Sequence, residues 1–394
     1  MRTEFYEKLH AEIDSLKRAG TYKDFRYLQS GMSGRVELKD YGNVIMLCSN
    51  NYIGLANRPE VVKGGQEALA KYGAGASSVR FICGTFDIHR QLEEEVARFL
   101  GMEAALTYTS CWAANTAAIP ALLSPGDTVI SDELNHASII DGCRMVAKGV
   151  NKAVFAHADM AALESRLKEC QASSTTLIVT DGVFSMEGDI ARLPDLLELA
   201  RKYGALLMVD DSHATGVIGG TGRGTAEYYG ITDGVDIISG TFGKALGGAG
   251  GGFIAGSGDI CDILAQKSRP HLFSNALPPV LCGIARSAVA YLDGHPEIVA
   301  SLMKKTSYMR GKIKAAGLSP LEGDSAIIPI LVGDTAKAIK VSQYMMDKGV
   351  FAIGFGYPVV PEGRARIRLQ VSDALTYEDI DQAVDVIRQA IDNN

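Results

Sequence analysis

The stretch SGTFGKALGGAGGGF, Ser239 to Phe253, places one lysine, Lys244, among seven glycines. A lysine so placed can grip a phosphate, bond covalently through a neutral amine, or carry charge on a turn. The phosphate-loop reading fails on spacing, because that loop needs Gly, four residues, Gly, Lys and then Ser or Thr, and here Ile238 and Ala245 stand at the two ends. Gly250, Gly252 and Ala255 fit a loose dinucleotide frame, a weak signal in a chain with 43 glycines. The plainest alternative is a hairpin with DIIS and GFIA as its strands. It accounts for the glycines and leaves the lysine unexplained.

Two further residues give the lysine a context. Asp210 and His213 follow the apolar run LLMV, so the carboxylate ends a strand in a partly desolvated place that a cationic partner would relieve. An acid for a ring nitrogen, an imidazole for a ring oxygen and an amine for an aldehyde form the set that pyridoxal phosphate requires. The amine must be neutral to react, and a partly apolar pocket favours that state. Taken singly, Asp210 could equally cap a turn and His213 could be an ordinary loop residue.

The cofactor's phosphate would need a helix N-terminus. TSCWAANTAAI opens a helix after the run AALTYT, so the amides at Cys111 and Trp112 can face an anion, although a core tryptophan and a packed thiol would read the same way. ELNHASIIDG sets His136 in a loop before another helix, where it could stack on a ring. In GRARIRLQ, Arg364, Arg366 and Arg368 alternate onto one strand face. One of them could clamp a carboxylate in a fork, and a solvated edge strand is the alternative.

These residues need a scaffold, and the chain can supply one. It has 394 residues, 47% of them hydrophobic, with a formal net charge of −7, enough for two or three domains and without the basic footprint of a nucleic-acid binder. No apolar run reaches membrane-spanning length and the N-terminus is charged, so neither a membrane nor a secretory role is expected. The seven cysteines lack CxxC spacing, which points to reduced thiols and a cytoplasmic setting.

Between 46 and 285, short β-branched runs alternate with helical patterns, the rhythm of a mostly parallel sheet with helices on both faces. Ligands of such sheets bind beyond the carboxyl ends of the strands, where Asp181, Ser185, Asp210 to His213 and Thr241 to Lys244 all fall. Residues 286–394 read as a smaller α+β unit with SAIIPILVG and ARIRLQVS as strands. Its closing helix begins at a Thr376/Asp379 capping box and has Ile380, Val384, Ile387 and Ile391 on its apolar face. Residues 1–45 form an N-terminal arm whose helix, with Phe5, Leu9, Ile13 and Leu16 on one face, is expected to end at Gly20.

NNYIGLA, SSVRFICGT, LNHASIIDG, TDGVFSMEGD, VDDSHATG, GTFGKALGG, SRPHLFSN and GYPVVPEGRARIRLQ, in this order, together resemble the α-oxoamine synthases, fold-type I pyridoxal phosphate enzymes that condense an amino acid with an acyl-CoA. The resemblance implies an α/β transferase fold with a mostly parallel seven-stranded sheet. It implies Lys244 as the residue bonded to the cofactor, Asp210 at the ring nitrogen, His213 near the ring hydroxyl, and His136 stacked on the ring with Ser185 beside it. Thr241, Cys111 and Trp112 would hold the phosphate, reached by Ser274 and Asn275 of a second subunit in a homodimer. Arg368 and Asn50 would take the substrate carboxylate. Trp112 stands where the family is expected to carry Phe.

Within the family the blocks are most similar to the branch that joins glycine to acetyl-CoA, reversibly giving 2-amino-3-oxobutyrate and CoA, with the reverse serving threonine breakdown. A sister branch joins alanine to a pimeloyl thioester, and a more distant alternative is a pyridoxal phosphate aldolase or desulfurase. The block SSVRFICGT is expected to close over the short acyl group.

Overall fold

The computed structural model describes residues 2–19, 21–357 and 359–393. Its organising element is a seven-stranded sheet ordered Ala104–Tyr108, Gly252–Gly256, Ile237–Thr241, Leu206–Asp210, Thr176–Asp181, Thr128–Asp132, Asn151–Phe155. Gly252–Gly256 runs antiparallel to both neighbours, and the pairings from Ile237–Thr241 outward to Asn151–Phe155 are parallel. The expected mostly parallel sheet is present. Its central strands are apolar because both faces are covered: Leu177, Ile178, Val179, Leu207, Met208 and Val209 are all buried.

The covering helices follow from their patterns. Leu193–Tyr203 buries Leu193, Leu196, Leu197 and Ala200, one face at helical spacing, and stops at Gly204 with φ 65°, a left-handed position that glycine fills without penalty. Each buried leucine contributes about 1.5–3 kcal/mol relative to exposure. The closing helix Tyr377–Asp392 has the expected Thr376/Asp379 capping box and buries Ile380, Val384 and Ile387, while Ile391 packs partly buried against the same core.

The smaller unit carries a three-stranded antiparallel sheet ordered Ile327–Gly333, Ala365–Gln370, Ile353–Phe355. The arginine-bearing strand is therefore central, which overturns the solvated-edge alternative. Both expected boundaries fall inside elements. The 45/46 division cuts the strand Gly42–Met46, which pairs with Val350–Phe351 of the smaller unit. The 285/286 division cuts the helix Pro279–Gly294, whose buried face joins the core shared with Pro59–Tyr72 and Asp87–Leu100. Composition shifts gave no warning of either, because secondary-structure packing, unlike sequence pattern, decides to which unit a segment belongs.

Among the described residues, the helix Arg2–Arg18 buries no side chain. Phe5, Leu9, Ile13 and Leu16 form the expected stripe, but on the surface of the single chain. Gly20, its expected end, lies outside the described residues.

Candidate active site

The carboxyl ends of the parallel strands meet in register. Asp181 lies opposite Asp210, and Asp210 opposite Ser239. Beyond them opens a cavity of about 200 Å³ lined by Ser110, Cys111, Trp112, His136, Ser138, Asp181, Val183, Asp210, Ser212, His213, Thr241 and Lys244. Seven residues expected from the sequence thus converge, Cys111, Trp112, His136, Asp210, His213, Thr241 and Lys244.

Lys244 sits in the turn after Ile237–Thr241, and that strand and Gly252–Gly256 do form the hairpin. The hairpin and the reactive lysine are one feature. Two glycines hold it in shape: Gly251 has φ +102°, and a Cβ on Gly252 would stand 2.3 Å from the Cys111 amide nitrogen. The glycines thus let the chain's own helix N-terminus approach the lysine turn. Burial lowers the Lys244 pKa, against the pull of Asp210, Cys111 and Asp181, so the amine is biased toward the neutral, nucleophilic form.

Asp210 is held by donors. Asn115 Nδ2 donates to its Oδ2 at 2.6 Å and the Ser212 amide to its Oδ1 at 2.9 Å, with Cys111 Sγ 3.7 Å from Oδ2. Its neighbour Asp211 faces away, receiving the Thr225 amide and hydroxyl at 2.9 and 2.7 Å, as alternation along a strand requires. Asp181 differs again: burial, with the charge of Asp210 added, pushes its carboxyl well above the usual range. Two adjacent carboxyls in one cavity thus have different surroundings: Asp210 is met by donors, while burial favours the protonated form of Asp181.

The helix Cys111–Leu122 opens onto the cavity, with the Ser110 hydroxyl capping the Ala113 amide at 3.1 Å. Thr241 lines the wall, but its hydroxyl donates to the Gly251 carbonyl and accepts from the Gly243 amide, both at 3.0 Å. His136 Nδ1 is tied to Ser138 Oγ at 2.7 Å, and its ring meets Trp112 edge-on at 5.9 Å. Burial lowers its pKa, which suits a neutral ring for stacking.

Arg368 reaches in from the smaller unit without lining the cavity. Its Nη1 donates to the Ser185 carbonyl at 2.9 Å, its Nη2 to Gln370 Oε1 at 3.0 Å, and its plane lies over Phe355. Its Nε is buried with no hydrogen-bond partner among the described residues, a donor left over for a bound anion. Asn50 accepts from Gln370. The three arginines are not equivalent. Arg364 is exposed before the strand, whereas Arg366 is fully buried, donating to Glu187 at 2.8 Å and to the Met186 carbonyl at 2.9 Å. If Arg368 takes a substrate carboxylate, as the resemblance implies, Arg368→Lys should raise the glycine concentration for half-maximal rate by roughly 10- to 100-fold, the worth of a charge-assisted hydrogen bond. Arg366→Lys should instead lower the thermal midpoint with little change in that requirement. Glycine titrations and thermal melts of the two variants check this.

Ser274 and Asn275 are not brought to the cavity. They lie exposed after the helix Arg269–Phe273. SSVRFICGT does not close over it either: Arg80–Gly84 forms one π-helical turn, with Phe81 and Ile82 about two-thirds exposed at 64% and 68%. Conversely, Asn115 and Ser212 were missed. Asn115 is one helical turn beyond Cys111, a spacing that could have revealed it. His157 was also missed; its Nδ1 lies 3.1 Å from Asp132 and its Nε2 2.9 Å from Asp189. Burial opposes its charge, but the two carboxylates prevail and push its pKa up to about 10, so an imidazolium braces the loop that carries Ser185.

The donor set fits pyridoxal phosphate: an enclosed lysine, a carboxylate held as an acceptor and a helix N-terminus line one cavity. Comparison with known proteins agrees. The family described as aminotransferase class I and II matches residues 42–387. The human protein named 2-amino-3-ketobutyrate coenzyme A ligase, mitochondrial, is 47% identical over 96% of this chain and 90% of its own. The 8-amino-7-oxononanoate synthase 1 of Bacillus subtilis is 43% identical over 98% of each. A solved structure described as SPT with a PLP internal aldimine superposes with a TM-score of 0.92 at 29% identity, covering 98% of this chain and 97% of that one.

Proposed function

The chain belongs to the class I and II aminotransferase family, and within it we propose that the cavity binds pyridoxal phosphate and condenses glycine with acetyl-CoA, reversibly, to 2-amino-3-oxobutyrate and CoA. The observation that carries this reading is the convergence of Lys244, Asp210 and His213 at the ends of adjacent strands. The names and identities of the relatives favour the glycine and acetyl assignment. In the reverse direction the reaction would serve threonine breakdown.

When bound, pyridoxal phosphate supplies an aldehyde that captures amines and a ring that draws electrons from the adjacent carbon. The residues have distinct tasks. Asp210 holds a proton at the ring nitrogen. The N-terminus of Cys111–Leu122, with Thr241, would hold the phosphate, and the His136 ring would lie against the cofactor with Ser185 near it. Arg368, with Asn50 behind it, orients the glycine carboxylate. Lys244, biased toward the neutral amine by burial, would hold the cofactor covalently and could accept the proton from the glycine Cα.

The reading includes a homodimer with shared sites. Its support is the exposure of apolar groups that a second copy would cover: the stripe on Arg2–Arg18, Phe81 and Ile82, and Phe273 at 70% exposure beside Ser274 and Asn275. In that arrangement SSVRFICGT, Ser274 and Asn275 would complete the neighbouring cavity. A cytoplasmic setting is supported by seven free cysteines, and no described helix is long and apolar enough to cross a membrane.

The B. subtilis relative makes acyl choice the sharpest question. Extra methylenes in a tight pocket cost roughly 1–3 kcal/mol, so acetyl-CoA should exceed a medium-chain acyl-CoA and a pimeloyl thioester in kcat/KM by about 10-fold or more, with glycine preferred over alanine. Competition assays with mass-spectrometric product identification decide this. Preferential pimeloyl transfer to alanine would replace the acetyl reading.

A further inference from the structure

Tyr52 is buried and comes from NNYIGLA, a segment of which only Asn50 has been given a role. Its hydroxyl lies 2.8 Å from His213 Nδ1 and receives Gln370 Nε2 at 3.0 Å. Gln370 in turn accepts Arg368 Nη2 on its Oε1 at 3.0 Å, and its Nε2 also donates to Asn50 Oδ1. Three of these contacts form one chain from the arginine to the imidazole, with Asn50 as a branch at Gln370, and the donor capacity of each group fixes its direction.

A guanidinium can only donate, so Gln370 must present its oxygen to Arg368 and its amide hydrogens to Tyr52 and Asn50. The Tyr52 oxygen therefore accepts from Gln370, and the phenol hydrogen is left for His213. The phenol keeps that hydrogen at physiological pH, because burial pushes its pKa up to about 12 against the influence of Arg368 and the Gln370 bond. If His213 Nδ1 carried a proton as well, the buried hydroxyl hydrogen would have no acceptor, which is costly. Burial holds the His213 pKa well below its ordinary value, with the Arg368 charge acting in the same direction.

We infer that Tyr52 is a positioning residue that fixes the His213 tautomer, leaving Nδ1 bare and the proton on Nε2, and that Gln370 relays this choice from Arg368. His213 then acts as a one-way donor through Nε2. This rests on the proposal that His213 stands by the ring oxygen of the cofactor, and it adds that the carboxylate-binding arginine and the ring-oxygen contact share one polarised chain. The same logic predicts an inversion. Gln370→Glu replaces the donor to Tyr52 with an acceptor, so the phenol hydrogen turns toward the glutamate and His213 must donate from Nδ1.

The direct test is nitrogen NMR on the full chain labelled with ¹⁵N-histidine, with His213 assigned by loss of its signals in His213→Gln. Wild type should show a bare Nδ1 and a protonated Nε2, Gln370→Glu the reverse, and Tyr52→Phe a mixture. A protonated Nδ1 in wild type, or an unchanged tautomer in Gln370→Glu, overturns the inference, and neither result depends on the cofactor. The second readout is the absorbance of protein loaded with pyridoxal phosphate, titrated with pH. Losing one neutral hydrogen bond should move the Tyr52→Phe midpoint by roughly half to one unit. A wild type that never develops cofactor absorbance would defeat the functional proposal and leave the tautomer result standing. A wild type that titrates, with an identical Tyr52→Phe midpoint, would defeat the relay.

Discussion

Lys244→Ala is expected to lower the rate of glycine Cα proton exchange by roughly a thousand-fold or more, since general-base contributions alone reach about 10²–10⁴ and the covalent anchor goes with them. The thermal midpoint should not fall with it. Burial disfavours the charged amine, as the lowered pKa shows, so the native state holds this side chain for function at some cost to stability. Alanine relieves that cost while the turn glycines and the Gly252 contact with Cys111 remain. Exchange followed by NMR in deuterated buffer, beside a thermal melt, separates the two effects. A variant that loses stability and rate in parallel would make Lys244 a structural residue.

Asp210→Asn should be nearly as damaging to the chemistry, with exchange slowed by roughly 10²- to 10⁴-fold, while bound cofactor persists. The carboxylate accepts from both Asn115 and Ser212, and an amide in its place offers one acceptor instead of two. It also cannot hold a proton at a ring nitrogen by charge. Asp211→Asn is the control. Asp211 is engaged by Thr225, whose amide and hydroxyl donate to it at the start of a short helix, so the variant should lose stability and keep its exchange rate per folded molecule. Exchange rates for both variants, normalised to the cofactor bound, distinguish them; equal losses would mean that neither carboxylate has a specific role.

How much of this was readable in the sequence depended on distance along the chain. Asp181 and Asp210 each end a strand and Lys244 follows one closely, each strand announced by its apolar run, and parallel register brings such ends together. The hairpin alternative was right about the backbone and incomplete about its lysine. Arg366 shows the limit of periodicity: alternation put it on the face of Arg368, but not that this face is buried against Glu187. Tyr52 and Gln370 were beyond reach for another reason, and Asn50 was named only through the resemblance, without its bond to Gln370. Their contacts cross more than three hundred residues of chain, |i−j| being 318 for Gln370 with Tyr52, and join two units whose packing no local pattern encodes. Ser274 and Asn275 are a third case. The resemblance assigns them to a neighbouring subunit, and a single chain leaves them in solvent.

The central claim is that Lys244 is the residue bonded to the cofactor, and one measurement addresses it directly. Protein incubated with pyridoxal phosphate is reduced with borohydride, which fixes the covalent link, then digested and mapped by mass spectrometry. The account predicts a single pyridoxyl-bearing peptide containing Lys244, with no label in Lys244→Ala. A label on another lysine in wild type, or none at all, would contradict it.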